Sequence, residues 1–321
     1  MSEPVVSLVQ IVAILVAVLI AAALLTWAER RLLGLWQDRY GPNRVGPFGL
    51  LQPVADVIKL MMKEDFIPPA ADKPVYLIAP MLVMGTGLVA FAVVPFAPDL
   101  GIANLSVGLL FFLAITGLTV YGIVLGGWAS NSKYALLGGL RGAAQMISYE
   151  VFLGLALMGV VLQAGSFDLR TIVEAQRGLW FVVPQFLGFL LFLTAGMAEL
   201  HRLPFDLPEA ENELVAGYHT EYSSMKFGMF FVGEYVGMIL TGAMATTLFL
   251  GGWLGPLLPP LAWFVLKTAM LVAFFILLRA ALPRPRYDQL MALGWKLLLP
   301  LALLNLVVTG GFVVAGAGGS A

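Results

Sequence analysis

Six of the nineteen acidic residues, Glu199, Asp206, Glu209, Glu211, Glu213 and Glu221, crowd into one short segment between two apolar stretches. Two further carboxylates stand inside apolar runs, Glu234 in the run that follows the segment and Glu150 in an earlier one. An ionised acid beside hydrocarbon costs on the order of 3 kcal/mol to insert, so such groups usually line water, pair with cations or move protons. Carboxylates gathered in a low-dielectric bundle do not all stay ionised, because desolvation and mutual repulsion raise their proton affinity. A series of acids at different depths, bridged by water and by hydroxyls such as Ser148, Tyr149 and Tyr235, has the chemistry a proton path requires.

Depth separates these residues. Glu150 is expected about six residues into its helix, roughly 9 Å along the axis, with Glu234 similarly placed; Lys267 is expected roughly 21 Å from its cytoplasmic helix end. Glu199 closes a helix. For a charge near a helix end the competing account is snorkelling to the interface, and it has least force for Glu150 and Lys267. In the acidic segment, Asp206-Leu207-Pro208-Glu209 has the form of a helix start, with Asp206 as N-cap, Pro208 in the first turn and Glu209 at the capping-box position. Gly217 would end that helix. Capping and proton chemistry both remain open for Asp206 and Glu209, whereas Glu211 and Glu213 have no capping role. Glu209 and Glu213 would share one face, a repulsive pair unless one is protonated or a cation intervenes.

The composition sets the surroundings. Hydrophobic residues make up 60% of the 321, charged residues 12%, and the mean hydropathy is +0.92, outside the range of soluble domains. A net charge of −1 with no long basic run argues against nucleic-acid binding. Cysteine is absent, which removes disulfides, thiolate-held iron–sulfur clusters and the Cys-x-x-Cys-His haem attachment. The only histidines, His201 and His219, both lie in the acidic segment rather than facing each other from apolar helices. The sequence therefore offers no metal centre, and any redox group sits on a partner or is the substrate.

These residues must be positioned by helices. Hydropathy predicts an all-α, polytopic transmembrane bundle forming a single domain over 1–321, with about eight spans of roughly 20 residues each, near 5–27, 75–97, 107–127, 144–163, 180–200, 227–250, 259–281 and 297–315. The first is expected to be retained, because it lacks a basic leader and its positive charge follows the apolar stretch. Fifteen of the eighteen Lys and Arg residues fall in or beside alternate connections, about 28–74, 128–143, 201–226 and 282–296, against Arg170 and Arg177 opposite. The positive-inside rule puts those loops and the acidic segment in the cytoplasm and both termini outside. The first loop is long enough to contain an element of its own. Over 50–63, Leu50, Leu51, Val54, Val57, Ile58 and Met61 recur at helical spacing, predicting an amphipathic surface helix that either lies among lipid headgroups or packs on the bundle. No internal repeat is visible, and the final Gly-Ala-Gly-Gly-Ser-Ala reads as a frayed tail.

Several blocks carry a resemblance that spans nearly the whole chain: Glu29-Arg30-Arg31, then Arg39-Tyr40-Gly41-Pro42-Asn43-Arg44-Val45-Gly46, Gly127-Trp128-Ala129-Ser130-Asn131-Ser132-Lys133-Tyr134, Gln145-Met146-Ile147-Ser148-Tyr149-Glu150, the loop from Arg202 to Glu221, and Arg284-Pro285-Arg286-Tyr287-Asp288-Gln289-Leu290. In that order they resemble the family of quinone-chamber membrane subunits of bacterial NADH:quinone oxidoreductase, respiratory complex I. The resemblance implies a helical subunit of the bacterial inner membrane at the junction between a peripheral redox arm and antiporter-like membrane subunits. It implies quinone as substrate, ubiquinone or menaquinone, with FMN and iron–sulfur clusters on partner subunits only. By similarity, Glu29, Arg30, Arg39, Asp56, Arg202, Arg279 and Arg284 would line the quinone chamber or its rim, with the 50–63 helix near its mouth. Glu150, Glu199, Asp206, Glu209, Glu211, Glu213, Glu221 and Glu234 would form an acidic path from that chamber into the membrane arm. Departures are few: Asn212 stands where relatives often carry Ser or Gln, and His201 replaces a frequent Asn. Two alternatives stay open, a cation/proton antiporter, which usually shows repeated halves, and a membrane anchor of a hydrogenase-type complex.

Overall fold

Long apolar runs leave the backbone no hydrogen-bond partner in hydrocarbon except itself, which restricts spanning segments to helices or closed barrels. The computed structural model of this chain describes residues 3–318 and contains no strand among them. The helices in chain order are α1 (Glu3–Trp36), α2 (Gln52–Met62), α3 (Lys73–Ala90), α4 (Gly108–Gly117), α5 (Thr119–Ala129), α6 (Lys133–Ala164), α7 (Leu169–Ala175), α8 (Phe186–Glu199), α9 (Glu211–Leu214), α10 (Ser224–Phe249), α11 (Pro260–Ala281), α12 (Tyr287–Leu293) and α13 (Leu299–Gly318). Seven helical segments among the described residues are long and apolar enough to cross a membrane: α1, α3, α4 with α5, α6, α10, α11, and α12 with α13. The eighth expected span is the shorter α8, 14 residues or about 21 Å at 1.5 Å per residue. The expected bundle is thus present. Helix α13 runs into the stretch expected to fray, of which 319–321 lie outside the described residues.

Two starts differ from expectation. Helix α6 begins at Lys133, so Glu150 lies midway along a 32-residue helix rather than near its entrance. Glycines on α5 and α6 are needed for close approach here. A Cβ on Gly138 would come within 2.5 Å of the Tyr218 amide nitrogen and 2.7 Å of the Pro208 carbonyl, and one on Gly127 within 2.4 Å of the Ala135 carbonyl. The acidic loop and α5 therefore lie directly on the backbone of α6. Helix α10 begins at Ser224, placing Glu234 about three turns in.

The helix expected from Asp206 to Gly217 is not formed, and only the short α9 remains of it. Ala210 (φ 37°) and Val215 (φ 67°) adopt left-handed backbone on either side of α9, and the Asp206 carboxylate turns toward Arg284 instead of capping. Glu209 and Glu213 consequently do not share a face: Glu213 turns outward to Arg141 at 2.5 Å, whereas Glu209 turns inward to the wall of a cavity. Gly217, at φ 59°, sits where a Cβ would collide with the Pro208 carbonyl.

The first long connection, between α1 and α3, contains the predicted amphipathic helix as α2, with Val54, Val57, Ile58 and Met61 exposed. Its end is tied to the start of α10, where the Ser224 hydroxyl donates to the Leu60 carbonyl at 2.8 Å. Gln145 of α6 joins the two parts of the molecule that hold the acids. Fully buried, its amide nitrogen donates to the Ala198 carbonyl at 2.7 Å and the Phe205 carbonyl at 2.8 Å. Gln145→Leu would leave both buried carbonyls without that donor, at a cost of about 1–3 kcal/mol each. The expected result is faster proteolytic cleavage of the 201–226 loop in native membranes; unchanged cleavage would show that Gln145 does not anchor it.

Candidate functional site

Three segments far apart in sequence meet at Glu29. This α1 carboxylate is only 2% exposed and lies between two guanidinium groups. Arg202, at the start of the acidic loop and 8% exposed, donates to it at 2.6 Å; Arg279, in the last turn of α11, holds its other oxygen. The Arg202 guanidinium also lies over the Tyr235 ring at 4.1 Å and 3.6 Å from the Glu234 carboxylate. Asp206 forms a second ion pair with Arg284 at 3.0 Å, and its backbone carbonyl accepts from the same side chain.

These groups border a cavity of about 250 Å³, lined by His201, Arg202, Leu203, Asp206, Glu209, Glu211, His219, Phe227, Phe230, Phe231, Glu234 and Arg279. A second cavity, about 80 Å³, shares His201 and Glu234 with the first and continues to Glu199, Thr116, Thr119 and Thr241. Glu199 interacts electrostatically with Glu150. The Glu150 carboxyl lies against Gly117 of α4, where a Cβ would come within 2.6 Å of it. The bundle thus brings Asp206, Glu209, Glu211, Glu234, Glu199 and Glu150 into one sequence of neighbours.

Burial decides the protonation of the loop groups. It pushes Glu209 well above the usual carboxylate range, a shift the nearby Glu234 carboxylate reinforces, and the two side chains share a hydrogen bond. Glu209 is therefore suited to hold a proton within reach of Glu234. Asp206 is raised by burial, against the opposing pull of Arg284. Burial lowers His201 to about 4 and also lowers His219, although Glu209 opposes the shift of His219. Burial alone would weaken the hold of Arg202 on its proton; Glu29 overcomes that and keeps it charged.

Other expected site residues stand apart. Arg30 and Asp56 form an exposed 2.7 Å pair between α1 and α2. Arg39 turns to Gln37 at 2.8 Å, outside the lining of the large cavity. Glu213 pairs with Arg141. Glu221 borders neither cavity, and its backbone carbonyl accepts from the Tyr76 hydroxyl at 2.6 Å. The Tyr149 hydroxyl, an expected bridge, donates to the Leu290 carbonyl. Lys267 holds three carbonyls, of Leu250, Gly252 and Leu254, at 2.6–3.1 Å against the Trp180 ring, and so clamps the turn before α11. Sequence reasoning did not select His201, His219 or the phenylalanines of the cavity; the only available signal was that both histidines fall within the acidic segment.

The chain matches the family described as NADH dehydrogenase over residues 9–310. It is 65% identical over 301 residues to the H subunit of the NADH-quinone oxidoreductase of Methylococcus capsulatus, covering 94% of this chain and 95% of that relative.

Removing one member of a buried ion pair costs about 3–5 kcal/mol, because the partner charge is left uncompensated, whereas an exposed pair contributes about 0–1 kcal/mol. Glu29→Gln is accordingly expected to reduce the amount and thermal stability of the chain in membranes far more than Asp56→Asn. Equal losses, measured by immunoblot and by heat-induced aggregation, would contradict this ranking.

Proposed function

The chain belongs to the NADH dehydrogenase family as a multi-pass membrane subunit of NADH-quinone oxidoreductase, and from that premise we propose that it forms the membrane part of a quinone-binding chamber and an acidic path coupling quinone reduction to proton translocation. The observation that carries this reading is the position of Glu234, which borders both cavities while facing Arg202 and Glu209. A charge change at the large cavity is felt by a group that also borders the way to Glu199.

Quinone is the substrate in this reading, ubiquinone or menaquinone. Phe227, Phe230 and Phe231 supply ring surface, and Arg202 and Arg279 supply donors beside it. Glu29 and Arg284 hold the arginines and Asp206 in place, while Arg30, Arg39 and Asp56 belong to the rim beside α2. FMN and iron–sulfur clusters reside on the peripheral-arm partners, which deliver the electrons; antiporter-like membrane subunits receive the effect.

Reduction to quinol consumes two electrons and two protons. Negative charge developing on the quinone oxygens competes with Glu29 and Glu234 for the guanidinium groups, and strengthens the hold of neighbouring carboxyls on their protons. Because Glu209 and Glu234 are coupled, a proton gained or lost by one biases the other. Glu199 and Glu150 pass the change inward. Asp206 and Glu211 border the chamber end of this path; Glu213 and Glu221 contribute to it from the surface of the loop rather than from the cavity wall. The chain forms one transmembrane domain over 1–321 in the bacterial inner membrane, with both termini periplasmic and the charged loops cytoplasmic, as the Lys and Arg distribution supports. The likeness to the Methylococcus capsulatus H subunit favours this reading over the hydrogenase-type anchor or a free-standing antiporter.

In membranes carrying Glu150→Gln, the inhibitor-sensitive NADH:quinone rate is compared with NADH oxidation by an artificial acceptor that needs only the peripheral arm. Losing a positioned proton-transfer group costs on the order of 100-fold or more where its step limits turnover, so the ratio is expected to fall with the arm still bound. An unchanged ratio would remove Glu150 from the quinone-linked chemistry.

A further inference from the structure

His201 is one of two residues, with Glu234, that border both the large and the small cavity. It is 6% exposed. Its ring interacts with the Gly142 backbone of α6, while Nε2 is buried without a hydrogen-bond partner among the described residues. In the neutral imidazole that carries its proton on Nδ1, Nε2 is the acceptor. A buried acceptor without a donor costs free energy of the same order as a lost hydrogen bond. With Glu234 and Glu199, the residue borders a space of about 80 Å³, ample for water, which needs on the order of 10–15 Å³ on that measure and two to four polar partners.

We infer that His201 is a positioning residue whose Nε2 accepts a hydrogen bond from a water held between Glu234 and Glu199. This inference rests on the acidic path proposed above and supplies its missing link. The water gives one hydrogen to Nε2 and presents its oxygen and remaining hydrogen to the carboxyl groups. A proton leaving one carboxyl binds the water oxygen, and the water releases a proton to the other carboxylate. No bond to the imidazole is made or broken, since the ring is held by Gly142 and does not need to turn over. Burial lowers the proton affinity of the ring, which keeps the Nε2 lone pair free at neutral pH.

The local backbone allows a clean test. His201 has φ 52°, a conformation open to Gly and tolerated by Asn. In the whole complex reconstituted into vesicles, His201→Gly is expected to lower protons pumped per electron severalfold. Added imidazole should restore the ratio at a pH where it is neutral. Pyrrole, with the same ring shape and an N–H but no acceptor nitrogen, should not. His201→Asn retains an acceptor oxygen and is expected to keep most of the coupling. Recovery with pyrrole as well as imidazole would show that the ring only fills space and would overturn the inference, as would normal pumping by His201→Gly. Should neither additive act, loss of coupling in His201→Asn would also overturn it, and retained coupling would uphold it. Glu199→Gln, measured alongside, separates the two levels: if it pumps normally the path itself fails, whereas loss in Glu199→Gln with normal His201→Gly removes only the role of His201.

Discussion

The rest of the structure depends on one buried anion. Glu29 lies almost out of contact with solvent, where an ionised carboxylate pays a penalty of several kcal/mol unless cations meet it directly. Arg202 and Arg279 meet it from the acidic loop and from α11. Neither arginine belongs to the helix that carries the acid, so satisfying Glu29 draws α1, α11 and the 201–226 loop to one point. The loop is thereby held against the helix ends.

Further features follow from that convergence. With Arg202 committed to Glu29 and stacked on Tyr235, Glu234 receives only a longer 3.6 Å interaction and remains available to Glu209. The two cavities then meet at His201 and Glu234. One carboxylate is locked and its neighbour left responsive, an arrangement that suits coupling between a charged chamber and a buried series of acids. The small residues of α6 complete it by letting the loop backbone approach within contact distance.

Periodicity and charge made much of this legible. Apolar runs identified the spans, and the 50–63 stripe identified α2, because both depend on residue type repeated over many positions. The acidic segment was visible as an anomaly of composition. What failed depended on single backbone conformations and on long-range pairing. Ala210 and Val215 end the expected helix through left-handed backbone that neither residue type favours, and Asp206 prefers Arg284, far away in sequence, over a local cap. The early start of α6 was not read from hydropathy, and its Gly138 serves helix-to-loop contact. Arg39 was grouped with the site by resemblance, and Glu213 and Glu221 already by their place in the acidic cluster, but no local pattern reveals that they lie outside the cavity lining. His201 was visible as one of two histidines in the acidic segment, but its place bordering two cavities is a property no linear motif contains.

The central claim is that a carboxyl proton in the Glu209–Glu234 pair responds to the redox state of the quinone. The most direct measurement is the infrared difference spectrum of the intact complex between its oxidised-quinone and quinol states, in the region of protonated carboxyl groups. A carboxyl band that changes on reduction and is lost or shifted in Glu234→Gln is the predicted result. A spectrum without carboxyl change, or one unaltered by Glu234→Gln, would contradict it.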